Sequence, residues 1–401
     1  MRSYTIIIIL SAIVILSYLF NLLSRKTRIP SVLLLIATGV GIKYLSDYYG
    51  YIARDVSKLV KILGAIGLIM IVLEAALDLK IGKHKVKLIR DSFSSALFIF
   101  ILSAVGIALL LTNWLHEPFD QSFLYAVPLS IISSAVVIPS TSHLPEHKKE
   151  FIIYESSFSD IIGILVFNYM LMQNAMSAAS VLVFTGKIGL AVLVSAGASL
   201  LLIFILTRNS QMNIRFFLVF AVLSLVYAMG ETIHIPSLLI VLVFGLVINN
   251  SSTLIPGRLK RWLNTDDMNN ILGFMRAITA ETSFLIRTFF FILFGYTINL
   301  FIFYDADVWI IGSLIVAILL FVRFLYLRLI LRTNLFPELF LMPRGLITIL
   351  LFYSIPPAKS LGSFNEGILF FVIAITSILM MIGLLMFKDK EGYAKGAEEV
   401  I

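Results

Sequence analysis

Tyr154-Glu155-Ser156-Ser157-Phe158-Ser159-Asp160-Ile161-Ile162-Gly163 sets two carboxylates and three serines inside an apolar run that covers residues 151–173. Roughly 20 helical residues cross the ~30 Å hydrocarbon core of a bilayer, so the run is long enough to span one. An acid in mid-span costs about 2.5–3.5 kcal/mol on insertion scales and persists only where it is paired or used. The rest of the chain settles that this is a span. Of 401 residues, 60% are apolar and 13% charged, with a mean hydropathy of +1.01. Soluble domains carry about 25% charged residues, so a soluble fold of this composition lacks the polar surface to face water. A chain without cysteine is no secreted disulfide scaffold either. The class is an all-α polytopic membrane protein. Its net charge of +8 suits cytoplasmic loops, where Lys and Arg collect, and needs no nucleic acid.

At the length of a membrane helix, the sequence divides into about thirteen transmembrane helices. They cover residues 4–23, 30–46, 57–78, 92–115, 121–142, 151–173, 182–207, 212–230, 235–250, 277–301, 307–331, 336–356 and 363–387. Place the first loop (Arg25, Lys26, Arg28) in the cytoplasm and give span-end residues to the nearer side. Then 21 of the 31 Lys and Arg lie inside, 7 outside and 3 within spans. This bias predicts a multi-pass protein of the cell (inner) membrane, N-terminus outside and C-terminus cytoplasmic. The first run, Tyr4 to Leu23, ends in Ser24-Arg25-Lys26 rather than a small-residue cleavage site, and is expected to stay as a span. Residues 1–387 read as a single membrane transport domain and 388–401 as a short cytoplasmic tail. The longest gap carries Pro256-Gly257-Arg258-Leu259-Lys260-Arg261-Trp262, a mix that suits a short helix on the inner surface.

Thirteen spans separate into repeat one (4–173), a linking helix (182–207) and repeat two (212–387). A single linking span makes the second six enter with opposite orientation, the pattern of an inverted-topology repeat. The fifth span of each half is interrupted, by Pro128, Ser133, Ser134, Pro139 and Ser140 in one and by Pro343, Arg344, Gly345 and Pro356 in the other. Two discontinuous helices at matching positions point to a binding site near the midplane. Freed backbone groups survive there only when buried or lining a cavity.

The charges expected inside the membrane are Glu74, Glu155, Asp160, Glu281, Arg287, Arg323 and Arg344. Each is either half of a pair that fixes packing or part of a site. Ser156 and Asp160, four apart, share a helix face. Glu155 and Asp160, five apart, diverge by about 140° and form no carboxylate dyad. Asp160 sits mid-span with a hydroxyl one turn below and Gly163 one turn above, a hard oxygen site for a small alkali cation or a proton. Glu155, nearer the cytoplasm, is the better partner for an arginine. Glu74, in Leu73-Glu74-Ala75-Ala76-Leu77-Asp78-Leu79, lies near the inner end of its helix and either assists the ion or lines its path. Arg287 and Glu281 are six residues apart, poorly placed for contact along one helix, so another helix is expected to supply the partner of Arg287. The five histidines fall in loops or near span ends without shared-face spacing, and no metal cofactor is expected.

These motifs resemble the monovalent cation:proton antiporter superfamily, and within it the Na+/H+ exchanger branch. Glu155-Ser156-x-x-Ser159-Asp160-x-x-Gly163 is similar to that branch's Glu-Ser-x-x-Asn-Asp-x-x-Gly signature. Leu73-Glu74-Ala75-Ala76-Leu77-Asp78-Leu79 resembles its Phe-Glu-Gly-Gly-Leu-Glu-Leu segment. Pro343-Arg344-Gly345 matches the Arg-Gly pair of its penultimate helix, and Ile29-Pro30 opens the second span as is usual there. The resemblance implies an NhaA-like antiporter fold, with spans four to six and eleven to thirteen as a moving bundle. Spans one to three and eight to ten would be the scaffold of a homodimer. Asp160 would bind cation and proton in turn, Ser156 and Ser133 would add oxygen ligands, and Ser159 and Glu74 would belong to the same site. Glu155 would pair with Arg344 or Arg323. Two positions depart from the pattern: the Asn of Asn-Asp is Ser159, and Thr-Asp-Pro in span five is Ser133-Ser134-Ala135.

The expected activity is exchange of Na+, K+ or Li+ for H+ by competition at one carboxylate, electroneutral and without a cofactor. Two other readings stand beside it. An organic-anion symporter would share the repeat and use Arg344 to bind the anion. A membrane enzyme would need a second intramembrane aspartate in a Gly-x-Gly-Asp context, which is absent, or a histidine near an acid, for which His143 and Glu146 are the candidates.

Overall fold

The computed structural model describes residues 3–27, 29–49, 56–79, 82, 85–141, 144–172, 178–208, 215–233, 235–251, 265–298, 301, 304–332 and 335–387. Among them every regular element is helical. Backbone groups in hydrocarbon must be satisfied within the segment, which leaves helices as the economical solution for apolar runs of this length. The predicted basic helix around Pro256–Trp262, His143 and the tail 388–401 lie outside the described residues.

The helices are α1 (Ser3–Thr27), α2 (Ser31–Tyr48), α3 (Val56–Asp78), α4 (Val86–Leu115), α5 (Phe119–Ser130), α6 (Ser134–Ser140) and α7 (Glu146–Met172). They continue with α8 (Ala178–Arg208), α9 (Arg215–Thr232), α10 (Ser237–Asn249), α11 (Thr265–Thr297), α12 (Ala306–Tyr326), α13 (Leu346–Tyr353) and α14 (Glu366–Met386). Among the described residues, seven segments are long and apolar enough to cross a membrane by length and composition. The two interrupted segments of the sequence are interrupted here as well. The fifth is α5 and α6 with Ile131-Ile132-Ser133 between them. The twelfth is a 3-10 turn (Glu338–Phe340), then Leu341–Gly345 without helix, then α13. Pro128 inside α5 removes one helical donor and crowds the preceding turn, and Pro343 stands in the non-helical stretch of the second break, where it brings no backbone donor.

The chain forms two compact units. One comprises residues 1–60, 88–160 and 288–401. Within it α1 packs on α2, α12 on α14, and α5 on α13. The segment of α11 in this unit meets α2 at glycines: a Cβ on Gly39 would collide with the Ile292 carbonyl, and one on Gly295 with the Ile36 carbonyl. The other unit comprises residues 61–87 and 161–287, in which α10 packs against α8 and α9. Exposed apolar side chains such as Ile8, Ile15, Leu182, Leu193 and Phe321 form the kind of surface that faces lipid rather than water.

Candidate functional site

In the first unit the two helix breaks cross each other, and their backbone groups find partners one by one. Ile131 N–H donates to the Pro128 carbonyl at 3.4 Å and Ser133 N–H to the Pro343 carbonyl at 2.9 Å. Ile132 N–H donates to Ser159 Oγ at 2.9 Å. Ser134 N–H donates to Asp160 Oδ2 at 3.2 Å. An unpaired amide here would cost as much as a lost hydrogen bond, so α7 and the second break are what make the first break tolerable.

Carbonyls left open at the end of α5 are closed by a side chain. Arg344 Nε donates to the Leu129 carbonyl at 2.8 Å, and Nη2 to that of Ser130 at 3.4 Å. Its Nη1 donates to the Met342 carbonyl at 2.5 Å, while Thr376 Oγ1 accepts the Arg344 N–H at 3.1 Å. The guanidinium thus stands at the negative end of α5, and the Asp160 carboxylate stands at the opening N–H of α6. Both charges complement the half-helix ends beside them.

Asp160 is 3% exposed. Its Oδ2 accepts from Ser134 Oγ at 2.5 Å as well as from Ser134 N–H. Its Oδ1 is buried and has no hydrogen-bond partner among the described residues, as is the case for Ser133 Oγ. Gly345 permits this crossing, because a Cβ there would lie 2.5 Å from Ser133 Oγ and 2.7 Å from Val136 Cγ2.

Glu155 pairs with Arg323. Nη2 meets Oε2 at 2.7 Å and Nη1 meets Oε1 at 3.1 Å, both side chains 1% exposed. Ser95 Oγ donates to the same Oε1 at 2.5 Å, and Arg323 Nε donates to the Glu338 carbonyl at 2.7 Å. Lys148, two turns before Glu155 on α7, reaches the Glu338 carboxylate at 2.5 Å. Arg344, the other partner expected for Glu155, is therefore not part of that pair. The carbonyls released by the breaks hold it instead.

Three more expected ligands have other partners. Ser156 Oγ donates back to the Ile152 and Ile153 carbonyls of its own helix, at 2.8 and 3.2 Å, a common use of serine inside helices. Ser159 is the acceptor for Ile132 N–H already described. In the second unit, Glu74 Oε1 lies 3.4 Å from Arg287 Nη2, so this carboxylate neutralises an arginine on another helix. Glu281 is exposed. Ser134 is not among the ligands expected from sequence, because its contact with Asp160 joins two helices and leaves no spacing signal along the chain. The signal available was its position: it stands where the resembling family has the Asp of Thr-Asp-Pro.

The profile of the family described as "Sodium/hydrogen exchanger, transmembrane" matches residues 9–388. The solved structure of the sodium proton antiporter MjNhaP1 from Methanocaldococcus jannaschii at pH 8 has the same fold. Its TM-score is 0.70 at 20% identity, covering 96% of this chain and 95% of that one. A 3D EM map of the same antiporter gives a TM-score of 0.66 at 18% identity, covering 97% of this chain and 100% of that one. Comparison with curated protein sequences gives no match.

Proposed function

The chain belongs to the transmembrane sodium/hydrogen exchanger family, and we propose that it exchanges Na+, or another monovalent cation, for H+ by alternating access, with Asp160 holding either in turn. The family is one of transporters, so the enzymatic readings lapse. One observation carries the assignment to Asp160. It is a buried carboxylate without an arginine partner among the described residues, with one oxygen tethered at the break of the first discontinuous helix and the other buried without a hydrogen-bond partner. A desolvated carboxylate has to be neutralised, and a proton or a small cation does this equally well at an oxygen site.

Coupling follows if the bundle around the crossing moves only when Asp160 is neutral. Uptake of one ion then requires release of the other. One exchanging carboxylate makes the cycle one-for-one and electroneutral. In this reading thirteen spans form an inverted repeat, with α4–α7 and α12–α14 as the moving bundle, and two copies associate through spans one to three and eight to ten. The N-terminus lies outside and the C-terminus in the cytoplasm. Arg344 argues against an organic-anion symporter, because its guanidinium is committed to three carbonyls.

Reconstitution of the purified protein in vesicles with a trapped pH dye tests this function. External Na+, K+ and Li+, added in turn, should discharge an imposed proton gradient for at least one cation. No response to any of the three contradicts it.

A further inference from the structure

We propose that Ser134 is a positioning residue that tethers Oδ2 of Asp160 and leaves Oδ1 as the single carboxylate atom at which cation and proton compete. It thereby sets the cation concentration at which exchange runs. The inference rests on the exchange reading above and names the device that tunes it.

The geometry is one-sided. Both donors to Asp160 come from one residue, Oγ at 2.5 Å and N–H at 3.2 Å, and both reach the same oxygen. Ser134 is itself 2% exposed, so neither donor exchanges its partner for bulk water. The tether is anchored beyond the pair: Ser133 N–H is bound to the Pro343 carbonyl, and Ile132 N–H to Ser159 on the helix that carries Asp160. Ser134 is therefore held by the two residues before it, Ile132 tied to α7 and Ser133 to the second break.

A hydroxyl donates where a carboxylate at the same place only accepts. Serine lets the site keep one acid and lock it, whereas aspartate at 134 would bring a second acid against the first. Locking one oxygen fixes the carboxylate rotamer and pre-organises Oδ1, which is buried and has no hydrogen-bond partner among the described residues. Pre-organisation lowers the cost of ordering a site at the moment of binding. Without the Ser134 hydroxyl the carboxylate keeps only the longer backbone contact, and cation binding has to order it first.

Initial rates of cation-driven pH change, measured in vesicles at fixed pH across a Na+ series, read this directly. Ser134→Ala should raise the half-saturating Na+ concentration by about tenfold, the worth of a hydrogen bond to a charged group, while the maximal rate stays near wild type. Ser134→Thr keeps the hydroxyl and should restore the wild-type half-saturation. Ser134→Cys, a weak donor of similar shape, should fall between them and replaces the alanine variant if that one does not assemble. An unchanged half-saturation in Ser134→Ala or Ser134→Cys, or a fall in maximal rate alone, overturns the proposal. Wild-type protein that moves no cation would instead overturn the exchange reading, so the two failures are distinguishable.

Discussion

The Ser133 amide donates to the Pro343 carbonyl at 2.9 Å, joining the break of one discontinuous helix to the break of the other by a main-chain hydrogen bond. The residues flanking that bond do the rest of the work at the crossing. Ser134 reaches Asp160, and Arg344 reaches back to the carbonyls of Leu129 and Ser130. An acid and a base therefore sit at the same pair of breaks without pairing with each other: Arg344 is taken up by backbone carbonyls, and Asp160 is held by Ser134 through Oδ2 alone.

Arg344 is predicted to hold the crossing together. Arg344→Ala leaves buried carbonyls without donors, at about 1–3 kcal/mol for each, and should lower thermal stability in detergent by at least about 2 kcal/mol. Arg344→Lys should recover only part of this, since one ammonium cannot reproduce a planar fork directed at three oxygens. Thermal unfolding followed by tryptophan fluorescence makes the comparison.

The Glu155–Arg323 pair makes a different prediction. Removing one partner leaves an uncompensated buried charge, so Glu155→Gln should destabilise by about 3–5 kcal/mol. Replacing both, with Glu155→Gln and Arg323→Met, should recover much of that loss because no lone charge remains. A double variant no more stable than the single one would show that the Arg323 contact to the Glu338 carbonyl matters more than the ion pair.

Gly345→Ala should jam the crossing, since the added methyl would meet Ser133 and Val136. Overpacking of this kind costs about 1–3 kcal/mol. It should slow exchange by about tenfold or more while the protein still inserts and purifies. Exchange at the wild-type rate would mean that the approach of Gly345 to Ser133 is not maintained during transport.

Electroneutral exchange predicts indifference to voltage at equilibrium. Each net charge moved is worth about 2.3 kcal/mol per 100 mV, which would shift the final cation ratio about fiftyfold. Clamping vesicles with a K+ gradient and valinomycin, with Na+ as the exchanged cation, should leave the final Na+ ratio where the pH gradient sets it. A shift of that size would require a second charge in the cycle.

Apolar run length made the helical segments legible, and the clustering of Pro, Gly and Ser marked which two of them break. Which residues unwind was not legible. Pro128 stays inside α5, and the break falls after it at Ile131–Ser133, where partners from α7 and the second break are available. Asp160 stood out because an acid in a span is costly. Ser134 did not, since its importance lies in a hydrogen bond between residues on different helices. The partner of Glu155 required three dimensions too: Arg323 and Arg344 have equal claim by charge alone. Only the carbonyls exposed by the breaks explain why Arg344 is occupied elsewhere.

Asp160→Asn tests the central claim most directly, because the amide keeps the size of the side chain and can no longer take up a proton or carry negative charge. Wild type and variant, reconstituted side by side at equal density, should differ completely in cation-driven pH change while showing matching unfolding temperatures. Exchange by Asp160→Asn at a rate near that of wild type would contradict the account.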